Sequence, residues 1–98
     1  MSKSTEKAIE QYLVSQVNLA LHGKCIKMSP QGQSGWPDRV ILFPDGRTAF
    51  AELKCDGGVV SKIQKERIKE LRAMGFEAWI LWSRDDVDFY INYLKGLR

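Results

Sequence analysis

The sequence predicts one α/β domain, a mixed sheet with helices against it, in the element order α-β-β-β-α-β-α. Three observations lead there. Apolar residues recur at helical spacing near the N-terminus. Residues 39–54 read as a tight hairpin. The near-continuous apolar run at 77–82 (EAWILW) then follows a cappable helical segment, as expected of a strand covered on both faces. A chain of 98 residues has room for one core, so residues 1–98 are expected to form a single domain.

Ser4 can cap a first helix running to Leu21, closed by His22-Gly23. Ile9, Tyr12, Leu13, Gln16, Val17 and Ala20 form its apolar stripe. At 100° per residue, Glu6 lies about 50° from the centre of that stripe and Glu10 about 90° away, so Glu6 is expected at the border of the buried face and Glu10 further out. As a charge in the first turn, Glu6 also has an ordinary structural role. Residues 24–28 predict a strand, and the polar, glycine-rich segment 29–35 (SPQGQSG) leads into Trp36-Pro37-Asp38.

The hairpin carries the chemistry. Residues 39–43 (RVILF) read as a short apolar strand, Pro44-Asp45-Gly46 as a three-residue loop with Gly46 in its left-handed position, and residues 47–54 as the returning strand. Pairing Phe43 with Arg47 sets Asp38 opposite Glu52, on one face and about 5 Å apart at Cβ. Glu52 and Lys54 share that face because strand side chains alternate. A bulge at Gly46 would slip the register by one. Acid and lysine residues on a hairpin are usually a solvated face. Here Ala49, Phe50, Ala51 and Leu53 surround Glu52, and a buried carboxylate needs a partner such as a metal ion or the lysine. Two carboxylates beside an amine suit metal-dependent hydrolysis of a phosphodiester.

After the break at Asp56-Gly57-Gly58, Ser61 opens a second helix, and Ser61-Lys62-Ile63-Gln64 fits a capping box. Gln64, Ile68, Leu71 and Gly75 share one stripe with Arg67 beside them. The inward glutamine and arginine need polar company, which the acidic hairpin can offer. Gly75 ends this helix. Asp85 or Asp86 is expected to cap a last helix bearing Val87, Tyr90, Ile91, Leu94 and Leu97.

Composition narrows the function classes. No apolar run approaches the roughly 20 residues of a membrane span, and no signal-type stretch opens the chain, which points to a cytoplasmic protein. Cys25 and Cys55 are too few for a metal cage and are expected to be reduced core or strand residues. A net charge of +3 is not that of a generic polycation, so basic residues must cluster for nucleic-acid binding.

Five stretches together resemble a stand-alone VRR-NUC domain of the PD-(D/E)xK nuclease superfamily: residues 6–13 (EKAIEQYL), Gly35-Trp36-Pro37-Asp38-Arg39, residues 50–54 (FAELK), Gly57-Gly58 and Ser61-x-x-Gln64. The resemblance covers nearly the whole chain. It implies a restriction-endonuclease-like core and DNA cutting dependent on Mg²⁺, with Mn²⁺ able to substitute. It also implies a phage or prophage source and Holliday-junction-resolvase-like homodimers. By position, Asp38 and Glu52 become metal ligands with the Leu53 carbonyl, Lys54 the catalytic lysine, Glu6 the helix-borne acid that binds a metal water or a second ion, and Gln64 the polar residue of the following helix. Trp36, Lys62 and Gln33 depart from the residue types common at their positions, which bears on substrate preference rather than on the catalytic set.

Lys24, Lys27, Arg39, Lys62, Lys65 and Arg67 are the expected phosphate contacts, although each alone is more commonly a plain surface charge. Trp36 is a candidate for stacking on an unpaired base, with packing under the loop as the commoner role. The aromatic surplus of Trp79, Trp82, Phe89, Tyr90 and Tyr93 exceeds what so small a core absorbs and marks a dimer face. The expected partners are DNA, branched by preference, and a second copy, with no membrane and no small-molecule cofactor. Two other readings compete: a nucleic-acid-binding module with relic PD and ExK residues, and a nuclease targeted by a partner protein.

Overall fold

A computed structural model describes residues 5–97. Its elements are α1 (Glu6–Leu21), β1 (Lys24–Lys27), β2 (Arg39–Leu42), β3 (Thr48–Leu53), α2 (Lys62–Ala73), β4 (Glu77–Leu81) and α3 (Arg84–Lys95), in the predicted order. The four strands lie in sequence order across one sheet, with β1-β2 and β2-β3 antiparallel and β3-β4 parallel. That mixed sheet flanked by helices is the restriction-endonuclease-like arrangement expected from the sequence.

The hairpin register is the predicted one. Arg39 pairs with Ala51 and Leu42 with Thr48, and the Phe43 N–H donates to the Arg47 carbonyl at 3.0 Å. Gly46 adopts φ +89°, a left-handed conformation that costs glycine nothing, so the loop closes without displacing the pairing. One step beyond Arg39 and Ala51, Asp38 therefore stands across from Glu52.

Alternation sorts the strands between two covers. Ile41, Ala49, Ala51, Leu53 and Leu81 point toward α1 and α3, where Ile9, Leu13, Val17, Val87, Tyr90, Ile91 and Leu94 complete the main core. On the other face, Phe50 and Ala78 meet Ile68 and Leu71 of α2 in a smaller cluster, with Trp36 and Ile80 packed against it. The apolar stripes of the three helices thus divide between the two faces of one sheet.

Both terminal caps differ from expectation. Ser4 lies outside the described residues, and α1 is capped by Thr5, whose hydroxyl accepts the Ala8 N–H at 3.0 Å. Helix α3 is capped by Ser83 rather than Asp85 or Asp86. The Asp86 carboxylate instead accepts the Trp82 N–H at 2.8 Å, and Asp85 and Asp86 sit in the first turn, where negative charge complements the helix dipole. Ser61 and Gln64 do form the capping box of α2. Leu97 is exposed, so the apolar face of α3 ends at Leu94.

Candidate functional site

At the end of the β2-β3 hairpin away from its turn, the chain holds Asp38 twice over. Its carbonyl accepts the Met28 N–H at 2.8 Å, and its carboxylate accepts the Leu53 N–H at 3.0 Å. Sequence reasoning singled out the Leu53 carbonyl and missed the Leu53 amide. The cross-strand pairing of Asp38 with Glu52 was the signal available for it.

Glu52 is the only charged residue among those described that is buried, at 3% exposure. Its two oxygens have different surroundings. Oε2 accepts a hydrogen bond from Gln64 Nε2 at 3.1 Å and lies 3.7 Å from the Lys54 ammonium, itself 15% exposed. Oε1 is buried with no hydrogen-bond partner. Burial pushes the Glu52 carboxyl up to about 7, the charge of Asp38 adds to the rise, and Lys54 opposes it. A carboxylate left half-satisfied in this way is costly unless something binds it.

Gln64 serves two sites with one amide. Its Oε1 accepts the Ser61 N–H at 2.9 Å, completing the capping box, while its Nε2 reaches Glu52. The capping-box bond and the contact with the acidic hairpin therefore coexist.

Glu6 and Glu10 exchange their expected environments. Glu6 is exposed, whereas Glu10 is half-buried in an ion pair with Arg39 at 2.7 Å. The stripe of α1 is centred on Ile9, Leu13 and Val17, and a cation from β2 draws Glu10 against the sheet. Glu6 still raises the Glu52 carboxyl through charge, which places it within electrostatic reach of the site.

The predicted phosphate contacts scatter. Lys62 and Lys65 are exposed on the first turns of α2, next to Gln64. Lys27 pairs with Arg39, adjacent to Asp38, but Lys24 pairs with Leu42, at the turn end of the hairpin and away from the site. Arg39 belongs to the opposite face of β2 from Asp38, where its guanidinium bonds Glu10 and the Cys25 carbonyl. Arg67 is held by Ser34, Glu70 and the Trp36 ring rather than by the acidic hairpin. Trp36 is half-buried and packs on the smaller core cluster, the commoner of its two expected roles. Cys25 and Cys55 are free and half-buried, and burial pushes the Cys25 thiol up to about 11, which keeps it unreactive.

The donor set fits a hard divalent cation. Asp38, just before β2, stands across from Glu52 on β3, and one oxygen of Glu52 is buried without a hydrogen-bond partner. Among the described residues no group of three or more His, Cys, Asp or Glu gathers at metal-binding distance. A hollow of about 470 Å³ between Phe43, Arg47, Phe76 and Leu97 opens at the turn end of the hairpin, away from Asp38 and Glu52.

Comparison with known proteins agrees with this architecture. No family model matches the chain. A phage protein described as "Putative nuclease p44" (Acyrthosiphon pisum secondary endosymbiont phage 1) is 34% identical over 80 residues, 82% of this chain and 85% of the relative. A solved structure described as "VRR_NUC domain" superposes with TM-score 0.81 at 26% identity, covering 91% of this chain and 97% of the other. A second, described as "VRR_NUC domain protein", shares the fold with TM-score 0.66 at 22% identity over 96% and 88% of the two chains.

Proposed function

We propose that this chain, which belongs to the VRR-NUC family of nucleases, is a divalent-metal-dependent DNA endonuclease that acts as a homodimer and prefers four-way junctions. The observation that carries the metal-dependent reading is the unpartnered Oε1 of Glu52 beside Asp38. Asp38, Glu52 Oε1 and the Leu53 carbonyl are the groups proposed to hold Mg²⁺ or Mn²⁺. An ion held there would supply charge stabilisation at the scissile phosphate and lower the pKa of the attacking water.

The remaining roles fall to the chain's own residues. Gln64 bonds Oε2 and Lys54 lies beside it, which leaves Oε1 as the oxygen proposed to face the ion. The Leu53 N–H holds the Asp38 carboxylate in place. Lys54, positioned beside Glu52, orients the attacking water and stabilises negative charge on the phosphate, a point charge suited to an oxyanion. Glu6 adds a further negative charge near Glu52 and is proposed to orient a water of the ion or assist a second ion. Lys27, Lys62 and Lys65 approach the DNA backbone. The product expected of this chemistry is a 5′-phosphate and a 3′-hydroxyl.

The dimer reading draws on the C-terminal aromatic group. Trp79 stacks on Tyr90 at 4.6 Å between ring centroids and contacts Phe89 and Tyr93, and Tyr90 is fully buried. Phe89 nevertheless remains 67% exposed, with Tyr93 and Trp82 partly exposed near the edge strand β4. A standard interface of about 800 Å² per partner would cover such a patch. Two sites in one dimer suit paired cuts on opposing strands.

Cleavage of four-way junction, flap, splayed-arm and duplex DNA with and without Mg²⁺ tests the activity, and light scattering at micromolar concentration tests the assembly. Divalent-dependent cutting favouring the junction, by a dimer, is expected. A chain that binds DNA without cutting in Mg²⁺ or Mn²⁺ would instead support the relic-site module. A monomer cutting both substrates equally would remove the resolvase reading while retaining the nuclease.

A further inference from the structure

We infer that Arg67 is a positioning residue that references Asp38 to helix α2, rather than a phosphate contact; this rests on the metal-dependent reading above. Residues 33–36 are joined to α2 at three points and braced internally by a fourth contact. The Arg67 Nε donates to the Ser34 carbonyl at 3.2 Å, and its guanidinium lies 4.7 Å from the centre of the Trp36 ring. The Trp36 indole N–H donates in turn to Gln33 Oε1 at 2.9 Å. Gly35, at φ +86°, sits so close to α2 that a Cβ there would stand 2.7 Å from Ile63 Cγ1 and 3.0 Å from the Ile63 carbonyl. Only glycine permits that approach.

This segment runs directly into buried Pro37 and then Asp38. One turn earlier on the same helix, Gln64 holds Glu52. Residues three apart on a helix are neighbours on its surface, so Gln64 and Arg67 act from one rigid body. Helix α2 thereby grips Glu52 directly and Asp38 through the segment Ser34 to Pro37. Glu52 belongs to β3 and Asp38 to the segment entering β2, and this shared reference sets their separation.

Two of the three guanidinium nitrogens of Arg67 are already engaged. Its Nη1 also faces the Glu70 carboxylate at 3.2 Å, and the side chain is 24% exposed. An added phosphate would meet that carboxylate, whereas Lys62 and Lys65 stand exposed nearby. Lysine is no substitute, because one ammonium cannot both bond the Ser34 carbonyl and lie flat over Trp36.

The test compares Arg67→Lys, Arg67→Ala and Lys65→Ala in the full chain. It reads kcat, KM and the salt dependence of junction binding, and, without DNA, Mg²⁺ affinity by calorimetry and the Leu53 amide resonance by NMR. Both Arg67 variants are expected to lower kcat about 10- to 100-fold, as a misplacement of about 1 Å does. They should weaken Mg²⁺ binding and shift the Leu53 amide, with the DNA salt slope unchanged. Lys65→Ala should raise the DNA Kd and reduce that slope by about one, with the Leu53 amide unmoved. An Arg67→Lys variant that matches wild type while Arg67→Ala loses DNA affinity and salt slope overturns the inference, as does an unmoved Leu53 amide in both. If Arg67→Ala does not fold, Trp36→Phe replaces it, with a smaller loss of kcat, a shifted Leu53 amide and unchanged DNA affinity expected. Wild-type protein that never cuts overturns the nuclease reading instead, and the Leu53 amide still decides the positioning role.

Discussion

The β2-β3 hairpin carries an acid-any-base triplet at each end, and the two behave oppositely. At the turn, Asp45 and Arg47 pair at 2.8 Å with side chains 54% and 35% exposed. Hydrogen bonds from the Arg47 backbone and side chain hold the Asp45 carboxyl below its ordinary range. Arg47 also bonds the Leu97 carbonyl and covers the Phe43 ring. At the other end, Glu52 and Lys54 stand 3.7 Å apart, nearly closed off from water, and burial drives the Glu52 carboxyl up. The residue pattern is the same. Burial and the neighbouring charge of Asp38 make one triplet a surface pair and the other a buried carboxyl with one unpartnered oxygen.

The largest expected effect separates the two ends outright. Asp38→Ala and Glu52→Ala should each reduce Mg²⁺-dependent cleavage by about a thousandfold or more while leaving DNA binding largely intact. Asp45→Ala should leave cleavage within about twofold of wild type, as expected for an exposed pair of little energetic weight. Comparable losses at both ends would break the assignment.

A second contrast sets Lys54→Ala against Arg47→Ala. The Lys54 variant should lose about a hundredfold in turnover yet keep its Mg²⁺ affinity, because an ammonium cannot ligate a cation. The Arg47 variant should retain turnover. Calorimetry beside single-turnover cleavage checks both, and collapse of Mg²⁺ binding in folded Lys54→Ala would overturn the division of roles.

The opposite carboxyl shifts predict opposite pH signatures. Glu52 titrates above its ordinary value of 4.5, at about 7, so the folded protein holds that proton more tightly than the unfolded chain does. Its contribution to stability is present in full below about 4.5 and is lost as pH rises through about 7. In the metal-free protein, thermal melting should show this loss relative to Glu52→Gln, by several degrees in so small a domain. Over the same range Mg²⁺ affinity should rise about tenfold per pH unit, because the ion displaces the Glu52 proton, and level off above pH of about 7. Asp45, held low, has the reverse sign: its contribution is present above its ordinary range and is lost on acidification. A Mg²⁺ affinity independent of pH between about 5 and 7 would show that Glu52 is not a ligand.

The smallest effects concern α1. Glu6→Gln should slow cleavage about tenfold through its charge near Glu52, with little change in melting temperature. Glu10→Gln should instead destabilise the fold, by about 1 kcal/mol or more, since it leaves Arg39 half-buried without its counter-charge. Equal effects on cleavage in folded variants would remove Glu6 from the site.

The sequence by itself determined what depends on near neighbours in the chain. Alternation and the left-handed position at Gly46 set the hairpin register, and with it the facing of Asp38 and Glu52. The Ser61-x-x-Gln64 spacing specified the capping box. Contacts between distant segments were beyond such patterns. Arg39 and Glu10 are 29 residues apart, and only the packing of α1 against the back of β2 turns Glu10 inward and holds Arg39 on the face away from Asp38. Arg67 finds Ser34 and Trp36, rather than the acidic hairpin, because Gly35 lets the preceding loop settle on α2. The unequal oxygens of Glu52 arise in the same way: two donors reach Oε2, and the folded surroundings exclude water from Oε1. Which groups are present, and on which face of a strand, is a local property of the chain. Which of them remain unpaired is decided by desolvation and long-range packing, and that is a property of the tertiary structure alone.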